Sequence, residues 1–212
     1  MSRREEAERN DRALLEAARE VLAVDGAHAS VAAVAARAGV GIGSLYRRYR
    51  SKQELFQHLC EVALDQWLEA AEEGLARADP WEGLVHYVRT GVASGSGSLG
   101  PIAGTIEVTA GMAARMRRSD ELQDALVARA HEAGVLRPDV TSVDLSLLME
   151  QLGKSPLLDQ VRRQGREDLL PEAVAARDRL VAIALAGLRP GAGELPGSPP
   201  DDRLLTERWA HG

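Results

Sequence analysis

Apolar residues recur along this chain with the spacing of helices. Leu14, Leu15, Ala18, Val21 and Leu22 share one face of a segment over residues 8–25, which Gly26 ends. Ser30 is a good N-cap for a short helix with Val31, Val34, Ala35 and Ala38 on one face and Gly39 as its stop. After Val40, Gly41 and Ile42 the pattern predicts a second short helix over about 43–49. Ser51 then caps a long helix in which Leu55, Leu59, Val62, Ala63, Trp67 and Ala70 repeat to about Arg77. Beyond Pro80, helices are expected over about 81–93, 102–117, 119–133, 140–152 and 171–186, with a broken piece over 155–164, all punctuated by glycine and proline. No stretch alternates with the period of a half-buried strand, and no internal repeat is evident. The expected fold is all-α, with about nine helices.

Composition narrows the class. With 212 residues, 45% hydrophobic and 27% charged, the chain is large enough for a full core and is not a disordered polypeptide. Cys60 is its one cysteine, which excludes an internal disulfide framework and a zinc ribbon and fits a reducing cytoplasm. The longest clean apolar run, Leu180 to Leu188, is nine residues, short of the roughly 18 needed to cross a bilayer. The charged start Met1-Ser2-Arg3-Arg4-Glu5-Glu6 lacks the apolar core of a signal peptide. A cytoplasmic protein with no membrane partner is expected. Residues 189–212, rich in proline and glycine in their first half, read as a flexible tail in which 203–209 form helix only on contact.

Net charge is −6, which alone argues against nucleic acid, but the charge is uneven. Residues 1–52 hold ten bases and seven acids, whereas 53–212 hold sixteen and twenty-five. From Gly26 to Gln53 there is no acid, and five bases: Arg37, Arg47, Arg48, Arg50 and Lys52. This window contains the two short helices, and two short helices about a glycine turn, buttressed by a preceding helix, form a helix-turn-helix. At about 100° per residue, Ser44, Arg47 and Arg48 face one way while Leu45 and Tyr49 face the other. Tyr46 lies between, its ring able to pack and its hydroxyl able to reach a phosphate. Gly41 and Gly43 let backbone amides come close to a phosphate, and Ser51 with Lys52 adds a second helix start beside a point charge. The candidate DNA-contacting set is Ser30, Gly43, Ser44, Tyr46, Arg47, Arg48, Ser51 and Lys52. Arg37 is as well placed for an internal partner as for a phosphate.

From Ala35 to Leu55 the sequence resembles the TetR family of transcriptional regulators, through Gly39-Val40, Gly43-Ser44-Leu45-Tyr46 and Ser51-Lys52-Gln53-Glu54-Leu55. Tyr49 and Arg50 depart from that pattern, where phenylalanine and proline are frequent; packing stays aromatic while the turn loses rigidity. The resemblance covers about residues 8–60. It implies an N-terminal three-helix DNA-binding domain (8–53, motif 30–49), a C-terminal helical ligand-binding and dimerisation domain (54–188), and a homodimer on a palindromic double-stranded DNA operator. Further implications are an unidentified small-molecule effector, a repressor role, and release of DNA through movement of the fourth helix. The alternative is an all-helical protein-interaction module whose basic head binds an acidic partner.

Other chemistry finds little support. Gly95-Ser96-Gly97-Ser98-Leu99-Gly100 matches a dinucleotide fingerprint, yet no strand precedes it, and a loop between helices accounts for it. His58 and Cys60 lie on opposite sides of their helix and cannot share a metal. His86 reads as a satisfied structural histidine. There is no nucleophile motif, and no enzyme, metal or cofactor is expected. Trp67, Trp81, Tyr87, Thr105, Thr109, Met112 and Met116 are candidates for an effector cavity, and core packing explains each equally well. For the dimer interface the candidates are Leu145, Leu148, Met149 and Leu152 on one helix and Val174, Val181 and Leu185 on another, with Leu147, Leu180, Ile183 and Ala184 nearby. Two such helices with their symmetry mates would form a four-helix bundle.

Overall fold

The computed structural model describes residues 3–191 and 193–209, with side chains from residue 9 onward. Residues 1–2, 192 and 210–212, which include both ends of the sequence discussed above, lie outside the described residues. Among the described residues there are nine helices of seven residues or more, a final four-residue turn of helix, and no strand.

The head is built from α1 (Arg3–Asp25), α2 (Val31–Ala38) and α3 (Ile42–Arg48). Ser30 Oγ accepts the Ala33 amide at 3.1 Å, and Gly39 takes a left-handed φ of 68° to end α2, so local chemistry alone fixes that helix. The long α4 (Lys52–Ala76) starts at Ser51, whose hydroxyl accepts the Glu54 amide at 3.1 Å while Glu54 Oε2 accepts the Arg50 amide at 2.6 Å. That second bond ties down the turn in which Arg50 stands. α5 (Pro80–Ala93) opens on a proline behind the Asp79 cap.

The chain between α5 and the next helix departs from the sequence reading. Helices were expected over 102–117 and 119–133; instead residues 94–109 form an irregular loop with one short 3-10 turn, and a single α6 (Ala110–Glu132) follows. Gly95, Gly97 and Gly104 adopt left-handed φ of 71°, 79° and 72°, which breaks any helix there, and Thr109 Oγ1 caps α6 through the Met112 amide at 3.1 Å. Ser119, where a break was expected, is buried inside α6. Then come α7 (Ser142–Gly153), α8 (Pro156–Arg163), α9 (Leu170–Gly187) and the short α10 (Arg203–Thr206).

Two apolar cores share α4. The first joins α1, α2, Leu45, Tyr49 and the start of α4 to Leu99, Ile102, Ile106 and Met112. The second joins the far end of α4 to α5, α6, α7 and α9. The head therefore packs without interruption onto the loop and the first turn of α6. The segment after α9, expected as a flexible tail, turns back along the molecule. Arg137 donates to Gly193 O, Leu195 N donates to Asp139 Oδ2 at 3.2 Å, and Arg208 grips both carboxylate oxygens of Glu150 at 2.9 and 2.8 Å. Trp209 packs against the first core.

Candidate nucleic-acid interface and cavity

On α3, Leu45 and Tyr49 are buried, while Gly43, Ser44, Tyr46, Arg47 and Arg48 are exposed, as the helical arithmetic requires. Arg47 stays on the outer face, donating to Ser44 Oγ at 2.8 Å. Arg48 divides its role: its guanidinium pairs with Asp11 of α1 at 2.7 and 3.0 Å and lies over the Tyr49 ring at 5.2 Å, so it helps hold α3 onto α1. Lys52 Nζ donates to Ala27 O at 3.0 Å, binding the start of α4 to the turn after α1. Ser30 and Ser51 are exposed but their hydroxyls are committed to caps. Arg37 forms an ion pair with Glu20 of α1, which makes its role intramolecular. Burial pushes the Tyr49 hydroxyl up to about 12, and that oxygen has no hydrogen-bond partner among the described residues.

A second feature lies behind the head. Helices α1, α4, α5, α6 and α7, the 95–103 loop and the returning C-terminal segment line a partly open cavity of about 200 Å³. Of the seven residues proposed for it, Trp67, Tyr87, Met112 and Met116 line it, and Trp81, Thr105 and Thr109 do not. Trp81 belongs to the second core beneath Arg189, whose guanidinium stacks 4.2 Å from the ring; Thr105 and Thr109 hydroxyls close a turn and cap α6. Lining residues without a signal in the periodicity are Arg19 of α1, Gln123 of α6, Glu150 of α7 and Leu205, Thr206, Arg208 and Trp209. Arg19 sits on a face of α1 otherwise read as core, where periodicity gives no reason to place a charge.

Most polar groups in the cavity wall are internally satisfied. Tyr87 donates its hydroxyl to Gln123 Oε1 at 2.9 Å, and Gln123 Nε2 donates to Ser146 Oγ at 2.8 Å and to Ser142 O. Glu150 is held down to about 2, chiefly by the Arg208 hydrogen bonds and further by Lys154, whose Nζ is 2.6 Å away. The buried Cys60 thiol is pushed up to about 12, an inert wall residue rather than a nucleophile. His86 is satisfied between Glu73 at 2.7 Å and Arg77 at 2.9 Å. Among the described residues no cluster of three His, Cys, Asp or Glu could hold a metal.

The proposed interface residues separate in the same way. Leu145, Met149, Val181 and Leu185 point into the second core, because α7 and α9 spend those positions on α5 and on each other. Leu148 and Leu152 are half-buried. On α9, Val174, Leu180 and Ile183 face outward at 37%, 55% and 59% exposure.

A basic helix-turn-helix packed on a long helix that also walls a cavity defines a class, that of DNA-binding regulators. Residues 14–59 match the family described as bacterial regulatory proteins, tetR family, and residues 79–190, more than half the chain, match the C-terminal domain of SbtR-like transcriptional regulators. The chain belongs to the TetR family and is a DNA-binding regulator of transcription. Among solved structures it is similar to the TetR transcriptional regulator SCO0520 from Streptomyces coelicolor, with 22% identity, 86% of this chain and 99% of that chain covered, and a TM-score of 0.56. It is similar as well to a TetR regulatory protein from Mycobacterium vanbaalenii, at 24% identity, 89% and 99% coverage and a TM-score of 0.56. The TetR-like regulator LfrR from Mycobacterium smegmatis, solved in complex with proflavine, is 25% identical over 89% of this chain and 99% of that chain, with a TM-score of 0.52. No curated protein matches the sequence. No helix among the described residues is long and apolar enough to cross a membrane.

Proposed function

We propose that this chain is a cytoplasmic, effector-responsive repressor that binds a palindromic operator as a homodimer, by binding and release rather than by turnover. Residues 8–53 form the reading head, 54–188 the effector-binding and dimerisation body, and 189–212 an appended segment. The observation that carries the reading is the cavity's wall: it includes Arg19 of α1 and Cys60, Leu64 and Trp67 of α4. These two helices also hold the end of α3, α1 through the Asp11–Arg48 pair and α4 through His58 against the Tyr49 ring. A molecule in the cavity therefore touches the supports of the DNA-reading helix without an intermediary. Two reading helices must span about one turn of DNA, roughly 34 Å, so small movements of these supports spoil the register. The cavity of about 200 Å³ supports an effector of modest size, and the similar regulator LfrR was solved in complex with proflavine.

On the head, Arg47, Tyr46 and Ser44 are the residues proposed to meet DNA directly, with Gly43, Ser30 and Ser51 at its edge; Arg48 and Lys52 position α3 and α4 and offer their remaining donors to phosphate. On the body, outward Val174, Leu180 and Ile183 of α9, with Leu148 and Leu152 of α7, are the proposed dimer contacts, in place of the four residues turned into the core. Selection of genomic fragments with the purified protein should return an inverted repeat, and the retained complex should yield to unlabelled duplex but not to an acidic polypeptide. Retention that weakens steeply as salt rises is expected, since phosphate contacts release counterions; a flat profile defeats the assignment.

A further inference from the structure

The cavity contains a cation whose donors are not all used. Arg19 is 7% exposed, and its guanidinium has a partner in Glu16 at 2.5 Å and a long contact to Gln66 at 3.4 Å. Its Nε is buried and has no acceptor among the described residues. Gly95 packs against this part of the side chain: a Cβ there would stand 3.3 Å from Arg19 Cδ and 3.5 Å from Nε. Burial lowers the guanidinium's affinity for its proton, yet an arginine in a protein keeps it, and a desolvated charge left under-coordinated is costly. Trp67 Nε1, in the same wall, is a second buried donor without an acceptor. The neighbouring Tyr87, Gln123 and Ser146 are by contrast saturated by one another. The acids in the wall do not answer Arg19: Glu150 is neutralised by Arg208 and Lys154, and Asp120 lies exposed at the rim.

We propose that the cavity binds a small amphiphile with an anionic, carboxylate-type head on the Arg19 guanidinium and an apolar body along Leu64, Tyr87, Met112, Met116 and Met149, with the buried Trp67 Nε1 in the same wall as a second donor lacking an acceptor. This rests on the reading of the cavity as the effector site and names its ligand class. A charge-assisted hydrogen bond at a desolvated arginine is strong, and because Arg19 stands on α1 the ligand's head group is seated on the DNA-binding head itself.

Octanoate, octanol and octylammonium share a tail and differ in the head. Intrinsic tryptophan fluorescence, with Trp67 and Trp209 in the wall, reports their binding to the full chain in the absence of DNA. Octanoate should bind at least about tenfold more tightly than either analogue, and Arg19→Gln should reduce octanoate to the level of octanol. The comparison of heads on the unaltered protein needs no substitution, so it stands even where R19Q folds poorly. Equal affinity for the three, a preference for octylammonium, binding of none of them, or a folded R19Q that keeps the carboxylate preference overturns the proposal. A gel shift without octanoate tests the regulator reading separately. An Arg19-dependent carboxylate preference in a chain that retains no DNA fragment leaves the ligand class standing and sinks the regulator; DNA retention with no such preference does the reverse.

Discussion

At the scale of single residues, adjacent guanidiniums on α3 have different surroundings and so different consequences when removed. Among the described residues Arg47 donates to Ser44 of its own helix, whereas Arg48 binds Asp11 of α1 and covers Tyr49. Arg47→Ala should weaken operator binding about tenfold or more while leaving the thermal midpoint unchanged, because a lost groove contact is worth about 1–3 kcal/mol. Arg48→Ala should lower the midpoint by a few degrees, the worth of a partly exposed ion pair at roughly 1 kcal/mol, as well as weaken binding. Differential scanning calorimetry beside gel shifts separates the two. Glu150 gives a pH signature. Its carboxyl is held at about 2 in the folded chain against an ordinary value of 4.5, so the stability it contributes is complete above that ordinary value and is lost as pH falls towards 2. Glu150→Gln should flatten the acid limb of urea-unfolding stability over that interval, and an unchanged limb shows that the Arg208 clamp does not stabilise the fold.

At the scale of elements, α4 and α5 approach closely because glycines face each other at their crossing. A Cβ on Gly83 would fall inside contact distance of Gly74 O, and one on Gly74 would stand 2.8 Å from Gly83 O. Backbone cannot yield as a side-chain tip can, so Gly83→Ala should cost about 1–3 kcal/mol despite its better helix propensity, read as a lower midpoint in thermal circular dichroism. The helices carrying the DNA motif were legible in sequence because their caps are local: Ser30, Gly39 and Ser51 act on residues three or four positions away. The 94–109 loop was not, because Ile102, Ile106 and Met112 are apolar for the sake of the first core rather than for one helix face, and periodicity cannot tell those causes apart. Trp67, Tyr87, Met112 and Met116 were legible as cavity candidates by type. Arg19 was hidden, since a charged residue on α1 meets the cavity only through long-range packing.

At the scale of the whole molecule, the outward apolar positions of α9 are the proposed dimer contacts and can be tested as such. Leu180→Glu together with Ile183→Glu should convert the proposed dimer into monomers by light scattering and abolish retention of a two-half-site operator, with helicity intact; a dimer that survives both places the interface elsewhere. The returning C-terminal segment has a consequence for how such a protein diversifies. Leu205, Thr206, Arg208 and Trp209 give the cavity one wall that is anchored at two points, by the Arg208 clamp on Glu150 and by Trp209 against the first core. Substitutions at Leu205 and Thr206 can thus reshape the chamber at little cost to folding, so selectivity for the proposed effector can drift quickly in descendants whose scaffold barely changes.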